Sequence, residues 1–343
     1  MKKKILAFIL MAVMVLPVLT GCGTRDDAGA NAETGTKKET KVVLNEVAHS
    51  LFYAPMYVAI EEGYFKEQGI DLELVTGFGA DKTMTALLSG EADIGFMGPE
   101  TTVYTSNEGA EDLIVNFAQL TQRAGNFLVA READDDFDWQ KLKGKDVLGG
   151  RDGGMPEMVF EYILKKNGID PVADLNIDKS IDFGSTAAAF SGGQGDYSVE
   201  FEPGATALEK EGAGYVVASL GVDSGYVPYT AFSSKDSYMK EHPDVIRGFA
   251  AALKKGMEYV YDHSAEETAA VIEPQFPDTD KDTMAKIIKR YADQDTWKRD
   301  LVFEEDAYRL LLDILDEAGQ LSERPEYSRL VTTEYVTEPE AAD

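Results

Sequence analysis

The chain has 343 residues, with 33 lysines and arginines against 62 aspartates and glutamates, and its formal net charge is −29. Such a charge excludes nucleic acid as a partner, because the phosphate backbone would repel the protein. It does not exclude a small anionic ligand, because local dipoles decide what a pocket accepts. The single cysteine, Cys22, leaves the folded part without a thiol for a disulfide, a thiolate metal site or a nucleophile.

The amino terminus has the pattern of an export signal over residues 1–21. A basic start, MKKK, precedes the apolar run ILAFILMAVMVLPVL, which is too short and interrupted for a membrane span. The following LTGC resembles the bacterial lipoprotein box, which implies cleavage before Cys22 and lipid attachment to it. A plain secretory signal with an incidental cysteine is the alternative. Residues 22–41 are small, polar and charged, and we expect them to form a disordered tether.

A strand–turn–helix pattern is repeated three times after the tether. Strands are predicted at 42–48, 71–75, 92–98 and 113–120. Helices are predicted between them, and two of these helices begin at a proline, Pro55 and Pro99. This alternation predicts a parallel sheet with helices on its faces. In such sheets, ligands bind beyond the carboxyl ends of the strands.

A second unit of the same kind spans about 130–225 and contains the glycine-rich turn RDGGMPE at the start of a helix. After a further strand in VPYTAFSS the chain is mostly helical. Apolar residues at helical spacing run along DVIRGFAAALKKGMEYVYDH. We expect these later helices to pack on the first unit, residues 331–343 to form a C-terminal tail, and its end, TEPEAAD, to be frayed.

Several motifs together resemble one family of proteins. APMYVAIEEGYFKEQGIDLEL and ALLSGEADIGFMG carry most of the resemblance, and ILKKNGIDPVAD, FEPGA and ILDEAGQL follow. Over about residues 42–320 the chain is similar to substrate-binding lipoproteins of ABC importers that serve nitrate, sulfonate, taurine and thiamine-pyrimidine uptake. The resemblance implies an α/β, two-lobed type 2 periplasmic-binding protein fold. Each lobe would be a mixed sheet flanked by helices, with the ligand cleft between the lobes.

The same resemblance implies the domain organisation and the partners. Lobe one would comprise 42–127 and 230–330, and lobe two 128–229, with the chain crossing between lobes near 126–131 and 226–230. The protein would be a monomer, anchored through lipidated Cys22 to the outer face of the cell membrane (the periplasmic side where the host has an outer membrane). Its lobes would close on a small molecule by hinge motion and deliver it to the permease and ATPase of an importer.

Five segments are expected to meet at the cleft, because each follows a strand or begins a helix. Aromatic side chains can stack on a ligand, glycines let the backbone approach closely, and free N–H groups at helix starts suit polar or anionic groups. The candidate ligand-binding residues are His49, Ser50, Phe52, Tyr53, Gly79, Asp81, Gly98, Glu100, Thr101, Asp152, Gly153, Gly154, Met155, Tyr197, Glu200 and Glu202.

Purely structural roles are the alternatives for these residues. Phe52 and Tyr53 could both be core residues beneath the helix at Pro55, or only one of them could contact a ligand. Glu100 and Glu202 could cap their own helices, since acids are favoured in a first turn. The glycines could serve turn geometry alone.

The sequence leaves the identity of the ligand open. Helix starts favour sulfonate, nitrate or carboxylate, but the five segments contain no lysine or arginine except Lys82 and the neighbouring Arg151. Three glutamates beside three aromatic residues better suit an amine-bearing aromatic heterocycle, such as a pyrimidine precursor, because a buried carboxylate needs a donor. The pattern therefore favours a neutral or amine-bearing ligand over an anion.

An enzyme and a lipoprotein that acts through protein contacts are the rival classes. The chain lacks G-x-S-x-G, H-E-x-x-H, a phosphate loop and a dinucleotide fingerprint. Its three histidines, at 49, 242 and 263, have no metal-ligand spacing. Fungal pyrimidine-synthesising relatives share the fold but carry a cysteine-rich motif that this chain lacks. We therefore expect no catalytic residue, no cofactor and no metal. A protein-contact lipoprotein would not need lobes that close.

Overall fold

The computed structural model describes residues 39–181 and 185–337. The predicted signal peptide at 1–21, Cys22, nearly all of the predicted tether and residues 338–343 lie outside this part of the chain. Two five-stranded sheets form the framework of the described part. The strands in these ranges are β1 (Thr40–Glu46), β2 (Ile70–Thr76), β3 (Ile94–Met97), β4 (Ile114–Thr121), β5 (Phe127–Ala130), β6 (Asp146–Leu148), β7 (Asn176–Asp178), β8 (Tyr197–Glu200), β9 (Tyr215–Ser219) and β10 (Thr230–Lys235).

The first sheet has the strand order β2-β1-β3-β10-β4. β1 pairs in parallel with β2 and β3, whereas β10 runs antiparallel to β3 and β4. β10 therefore makes this sheet mixed, as the family resemblance implies, whereas the strand–helix alternation alone indicates only its parallel part. β3 lies at the centre of the sheet and is apolar and buried along its whole length. β4 lies at the edge of the sheet and is also buried along its whole length, although it includes polar residues.

The second sheet repeats this arrangement with the order β7-β6-β8-β5-β9, in which β5 runs antiparallel to β8 and β9. We call the elements around the first sheet lobe one and those around the second sheet lobe two. The chain passes between the sheets at 122–126 and at 220–229. The crossing expected near 126–131 is misplaced, because Phe127–Ala130 pair with strands on both sides. A run of four apolar residues was too short to be recognised as a strand.

Helices cover both sheets, as the predicted α/β architecture with a mixed sheet in each lobe requires, and that prediction is confirmed. In the described ranges the helices are α1 (Ala54–Glu61), α2 (Tyr64–Glu67), α3 (Ala80–Ser89), α4 (Glu100–Asn107), α5 (Met155–Lys166), α6 (Thr186–Ser191), α7 (Gly204–Glu211), α8 (Leu220–Ser224), α9 (Asp236–Glu241), α10 (Pro243–Asp262), α11 (Ala265–Ile272), α12 (Lys281–Asp293), α13 (Glu305–Glu317) and α14 (Tyr327–Leu330). Short 3₁₀ turns occupy Leu51–Tyr53, Trp139–Leu142 and Glu273–Gln275.

The contact between α10 and α1 fixes the position of the start of α1. The candidate residues His49, Ser50, Phe52 and Tyr53 directly precede this helix. α10 packs along α1, and a Cβ atom added at Gly256 would lie only 2.2 Å from the carbonyl oxygen of Pro55. A glycine is therefore required for this close approach. The predicted helix start at Pro55 agrees with α1, which has a proline in its first turn.

Residues 331–337, the described part of the predicted C-terminal tail, pack on lobe one. Val331 forms a bridge with Asn116, and the N–H of Thr332 donates to the Asn116 carbonyl oxygen at 2.9 Å. The ring of Tyr335 meets Phe117 edge-on at 6.5 Å. Backbone pairing and one aromatic contact therefore attach this stretch to β4.

Two properties of the described ranges bear on the function. No helix in 39–181 or 185–337 combines the length and apolar composition that crossing a membrane requires. Over the same residues, no three histidine, cysteine, aspartate or glutamate side chains are grouped so that they could hold a metal ion.

Candidate functional site

A cavity of about 160 Å³ lies where the two lobes meet. Lobe one lines it with loops that follow β1, β2 and β3, and lobe two lines it with the start of α5 and the residue after β8. The cavity therefore lies at the carboxyl ends of parallel strands, where α/β sheets bind ligands. Its lining residues are Val47, Ala48, Tyr53, Phe78, Gly79, Ala80, Gly98, Glu100, Arg151, Gly154, Met155, Pro156, Phe201, Tyr229 and Thr230.

Three aromatic residues, Tyr53, Phe201 and Tyr229, form walls of the cavity around a common support. The ring of Phe52 is fully buried and lies 5.1 Å from Tyr53, 5.8 Å from Phe201 and 5.7 Å from Tyr229. Phe52 itself does not line the cavity. Of the two aromatics in question, Tyr53 faces the cavity and Phe52 holds the wall residues from behind.

Glu100 is the acidic residue of the cavity and the first residue of α4. Its side chain is buried, and its Oε2 atom has no hydrogen-bond partner in the described part of the chain. Burial raises the pKa of Glu100 to about 7, against the opposing effects of its own backbone N–H, the charge of Arg151 and the backbone N–H of Met155. A buried carboxylate oxygen without a donor is costly, so this atom is available to a donor on a ligand.

The carboxylate of Glu100 folds back over Gly98. A Cβ atom at position 98 would lie 2.1 Å from Oε2 of Glu100, so a side chain there would displace the carboxylate from this position. The glycine therefore has a definite role, which is to leave room for the Glu100 carboxylate at the cavity. It does more than form the turn between β3 and α4.

Two contacts join the lobes beside the cavity. Nη1 of Arg151 lies 3.3 Å from Oδ1 of Asp81, and both side chains are about half exposed. The hydroxyl of Tyr104 donates to the carbonyl oxygen of Gly153 at 3.1 Å. The first is a surface ion pair and contributes about 1 kcal/mol or less. Asp81 and Gly153 thus lie at the edge of the cavity and join its two sides, whereas Tyr53, Gly79, Gly98, Glu100, Gly154 and Met155 line it directly.

His49 is one of the candidates that do not line the cavity. Its Nδ1 atom lies 2.8 Å from Oε1 of Glu46, and its Nε2 atom lies 2.8 Å from the carbonyl oxygen of Gln275. Its ring stacks on Phe276 at 4.6 Å. Both ring nitrogens are therefore engaged, and His49 joins the loop after β1 to the segment that follows α11.

Ser50, Thr101 and Asp152 also have partners within the protein instead of facing the cavity. The side chain of Ser50 caps the 3₁₀ turn that precedes α1. The hydroxyl of Thr101 donates to the carbonyl oxygen of Gly98 at 2.8 Å, within its own helical turn. Asp152 is exposed and lies 3.2 Å from Nζ of Lys179. Thr101 and Asp152 each follow a residue that does line the cavity, but their own side chains bind elsewhere.

Tyr197, Glu200 and Glu202 do not line the cavity, whereas Phe201, between the two glutamates, does. Glu200 is the last residue of β8 and Phe201 follows it directly, so the alternation of side chains along the strand separates these two. Tyr197 lies at the opposite end of β8, next to Phe137.

The two glutamates beside Phe201 have separate environments. Glu200 is buried and accepts hydrogen bonds from Ser198 and from Thr186, the latter at 3.0 Å, and burial raises its pKa to about 7. Glu202 accepts from the backbone N–H of Thr206 at 2.9 Å and pairs with Arg290. Both carboxylates are used inside the protein.

The residues that sequence reasoning left out of the candidate set lie at positions that topology could have indicated. Val47 and Ala48 directly follow β1, and Tyr229 and Thr230 lie where the chain returns to lobe one. Phe201 could have been predicted from the alternation of side chains along β8, which places it on the side opposite to Glu200. These positions share one signal, which is proximity to a carboxyl strand end or to a crossing between lobes.

The chain is similar to proteins of known sequence and structure. It is 47% identical to the putative binding protein YtlA of Bacillus subtilis over 295 residues, which cover 86% of this chain and 88% of that protein. It is 25% identical to the 4-amino-5-hydroxymethyl-2-methylpyrimidine phosphate synthase THI5 of Saccharomyces cerevisiae over 223 residues, or 61% of this chain and 63% of that protein.

The fold has counterparts among solved structures. The crystal structure of the periplasmic aliphatic sulphonate binding protein SsuA from Escherichia coli matches with a TM-score of 0.68 at 16% identity, covering 84% of this chain and 97% of that one. This match confirms the predicted periplasmic-binding protein fold. The model of the family described as NMT1/THI5 like matches residues 52–267, which is more than half of the chain. With this match and the 47% identity to YtlA, the chain belongs to the NMT1/THI5-like family.

Proposed function

We propose that this protein is an extracytoplasmic solute-binding protein that captures one small organic molecule between its lobes and delivers it to an ABC importer. The two-lobed fold, the cavity between the lobes and the name of the relative YtlA, a putative binding protein, support a binding role. The permease and ATPase subunits are the partners that this role requires. The protein would act as a monomer, because each chain carries a complete cleft.

The observation that carries the proposal is the buried, unpartnered oxygen of Glu100 in an otherwise aromatic and aliphatic cavity. A site built this way leaves a polar group unsatisfied until a ligand donates to it. The ligand gains a charge-assisted hydrogen bond, and the protein loses the cost of the unpaired carboxylate. The geometry therefore favours a ligand with an N–H donor at one edge and an apolar, flat body.

The helix start that could bind an anion already has an acceptor from the protein. The backbone N–H of Met155, at the start of α5, acts on the carboxylate of Glu100, and the cavity's cation, Arg151, pairs with Asp81. A sulfonate or nitrate at the same place would lie beside a carboxylate, which is unfavourable when both are charged. These contacts support an amine-bearing ligand over an anionic one.

The size of the cavity limits the ligand. An apolar cavity of roughly 150 Å³ holds a single benzene ring. At about 160 Å³, this cavity suits one six-membered ring with small substituents. An aminopyrimidine fits both the size and the donor requirement, and the name of the yeast relative THI5 contains such a compound, 4-amino-5-hydroxymethyl-2-methylpyrimidine.

The residues that line the cavity support a binding role over a catalytic one. Its polar side chains are Tyr53, Glu100, Arg151, Tyr229 and Thr230, with no serine, cysteine, lysine or histidine among the residues that line it. The hydroxyl of Tyr229 donates to Asn126 and that of Thr230 is bonded to Thr121, so neither is a nucleophile activated by Glu100. The resemblance to a synthase is limited to 25% identity over part of both chains.

Thermal-shift and calorimetric titration of the purified protein would test the proposal. The panel contains 4-amino-5-hydroxymethyl-2-methylpyrimidine, thiamine, taurine, methanesulfonate and nitrate, and mass spectrometry of the protein as purified would detect a ligand carried through purification. We expect a response to the aminopyrimidine and none to the anions. Absence of any small-molecule response, together with a stable complex with another protein, would favour the protein-contact class instead.

Membrane attachment through Cys22 is part of the proposal and is tested separately. The basic start, apolar run and LTGC box support lipidation of this residue. Cys22→Ala should release the protein from the membrane fraction, or leave it at its unprocessed length. Fractionation and mass identical to wild type would count against the lipid anchor while leaving the ligand proposal intact.

A further inference from the structure

Phe78 lines the cavity, yet its side chain is 75% exposed. The other aromatic lining residues, Tyr53, Phe201 and Tyr229, are buried or partly buried against Phe52. A single exposed apolar side chain is common on protein surfaces, but this ring lies at a cavity, where a bound ligand would cover it. Phe78 is therefore the wall residue whose environment is incomplete.

The backbone at Phe78 is held in a conformation that a phenylalanine avoids. Its φ angle is +56°, in the left-handed region that favours glycine. Hydrogen bonds on both sides fix it there: the N–H of Gly77 donates to the Glu46 carbonyl oxygen at 2.8 Å, and that of Gly79 to the Val47 carbonyl oxygen at 3.0 Å. Both acceptors belong to the end of β1 or directly follow it, so the loop is tied to the sheet and the ring is directed outward.

Strain of this kind persists where the surroundings impose it, and it is concentrated at ligand-binding positions. A glycine would hold the same turn without strain and without an exposed ring. The exposed ring and the strained backbone are two independent observations on the same residue, and both indicate that the aromatic side chain is retained for a purpose other than stability of the free protein.

We propose that Phe78 is a specificity-determining residue whose ring covers the flat face of the bound ligand and becomes buried only when the ligand is present. The inference rests on the proposed function, because it needs a planar ligand in the cavity. Phe78 lines the cavity from lobe one, and Met155 and Pro156 line it from lobe two. A planar ring held between the lobes would therefore contact both sets of residues. The aromatic lid then selects flat rings over tetrahedral or flexible ligands of the same volume.

Substitution of Phe78 tests the lid by affinity. An aromatic side chain that stacks on a ring contributes binding free energy that Phe78→Ala would remove. We expect this variant to bind 4-amino-5-hydroxymethyl-2-methylpyrimidine about tenfold more weakly, mainly because the ligand dissociates faster. The matched control is Val172→Ala, because Val172 is 87% exposed and does not line the cavity, and it should leave affinity unchanged. Calorimetric titration and stopped-flow dissociation measure both.

A second pair of variants separates the ring from the backbone. Phe78→Gly and Phe78→Ala both lack the ring, but only glycine relieves the left-handed strain, so Phe78→Gly should melt at the higher temperature of the two. Their affinities should be equally weakened. Phe78→Leu keeps an apolar side chain without a flat face, and its affinity should lie between that of Phe78→Ala and wild type.

A direct measurement of burial completes the test. Cys22 is the only cysteine in the chain, so Phe78→Cys in a Cys22→Ala background carries one thiol. The aminopyrimidine should slow alkylation of this thiol at least severalfold, and should not slow alkylation of Val172→Cys in the same background. The role of Phe78 alone would be overturned if the wild-type protein binds the aminopyrimidine and Phe78→Ala binds it with the same affinity. The same conclusion would follow if the ligand does not slow alkylation at position 78. Failure of the wild-type protein to bind any member of the panel would overturn the proposed function and the lid with it.

Discussion

Replacing Glu100 by glutamine should weaken binding of an amine-bearing ligand roughly 30- to 150-fold while making the free protein more stable at pH 8. Glutamine keeps the size of the side chain but removes the charge. A hydrogen bond to a charged group contributes about 2–3 kcal/mol, which corresponds to that loss of affinity. The Oε2 atom of Glu100 has no partner in the described residues, so no contact within the free protein is lost with it.

The gain in stability follows from the pKa of Glu100, which burial raises from the ordinary glutamate value of 4.5 to about 7. Between these values the folded protein holds a proton that the unfolded chain has released, so stability is full below about pH 4.5 and is lost as pH rises through 7. The loss approaches about 3 kcal/mol at pH 8, and Glu100→Gln avoids it. Urea unfolding of both proteins at pH 5 and pH 8 measures the difference, which should grow with pH.

Glu200 supplies the control for this experiment. Burial also raises its pKa to about 7, but its carboxylate accepts hydrogen bonds from Ser198 and Thr186 and does not line the cavity. Glu200→Gln should therefore leave ligand affinity unchanged. Equal affinities for wild type and Glu100→Gln, or a less stable Glu100→Gln protein at pH 8, would contradict the assignment of Glu100.

Removal of Arg290 should be the most destabilising single change outside the hydrophobic core, at about 3–5 kcal/mol. Arg290 extends from α12 to Glu202 and to Glu209 of lobe two, with the Glu209 contact at 2.9 Å. The Glu202 side chain is completely buried, and its oxygens also accept from the N–H and hydroxyl of Thr206. Arg290→Met would leave this carboxylate buried without its counter-charge.

Urea unfolding of Arg290→Met and of a neighbouring variant measures this effect. Lys286 on the same helix pairs with Glu209 at 3.0 Å but is half exposed, so Lys286→Met should cost less than about 1 kcal/mol. A second replacement, Glu202→Gln, should restore part of the stability lost in Arg290→Met because the unpaired charge is gone. Equal small losses for Arg290→Met and Lys286→Met would show that the pair between the lobes is unimportant.

The fold was accessible from sequence because its signals are local and repeated. Prolines at helix starts, apolar strands and glycine-rich turns recur in order, and the motifs around GYFKEQGIDLEL and LLSGEADIG agree with the observed β2 and with α3 and β3. The four residues of β5 were missed because a strand that short carries little pattern of its own. Its identity as a strand depends on pairing with β8 and β9, which are distant in sequence.

The site was only partly accessible, and the failures have geometric causes. The correct segments were chosen, but whether a side chain faces the cavity depends on parity and on competing partners. Phe201 faces inward and its neighbours Glu200 and Glu202 do not, and His49 is held by Glu46 and Gln275. Glu100 of lobe one lies beside the start of α5 in lobe two. This proximity depends on how the two lobes pack, so no local sequence pattern predicts it.

The central claim is that the cavity binds a flat, donor-bearing ring through Glu100. Calorimetric titration of the purified protein with 4-amino-5-hydroxymethyl-2-methylpyrimidine and with methanesulfonate at pH 8, on wild type and on Glu100→Gln, tests it most directly. The account predicts binding of the aminopyrimidine by wild type, a loss of roughly 30- to 150-fold in Glu100→Gln, and no binding of the sulfonate. Tight binding of methanesulfonate, unchanged or strengthened in Glu100→Gln, would contradict it.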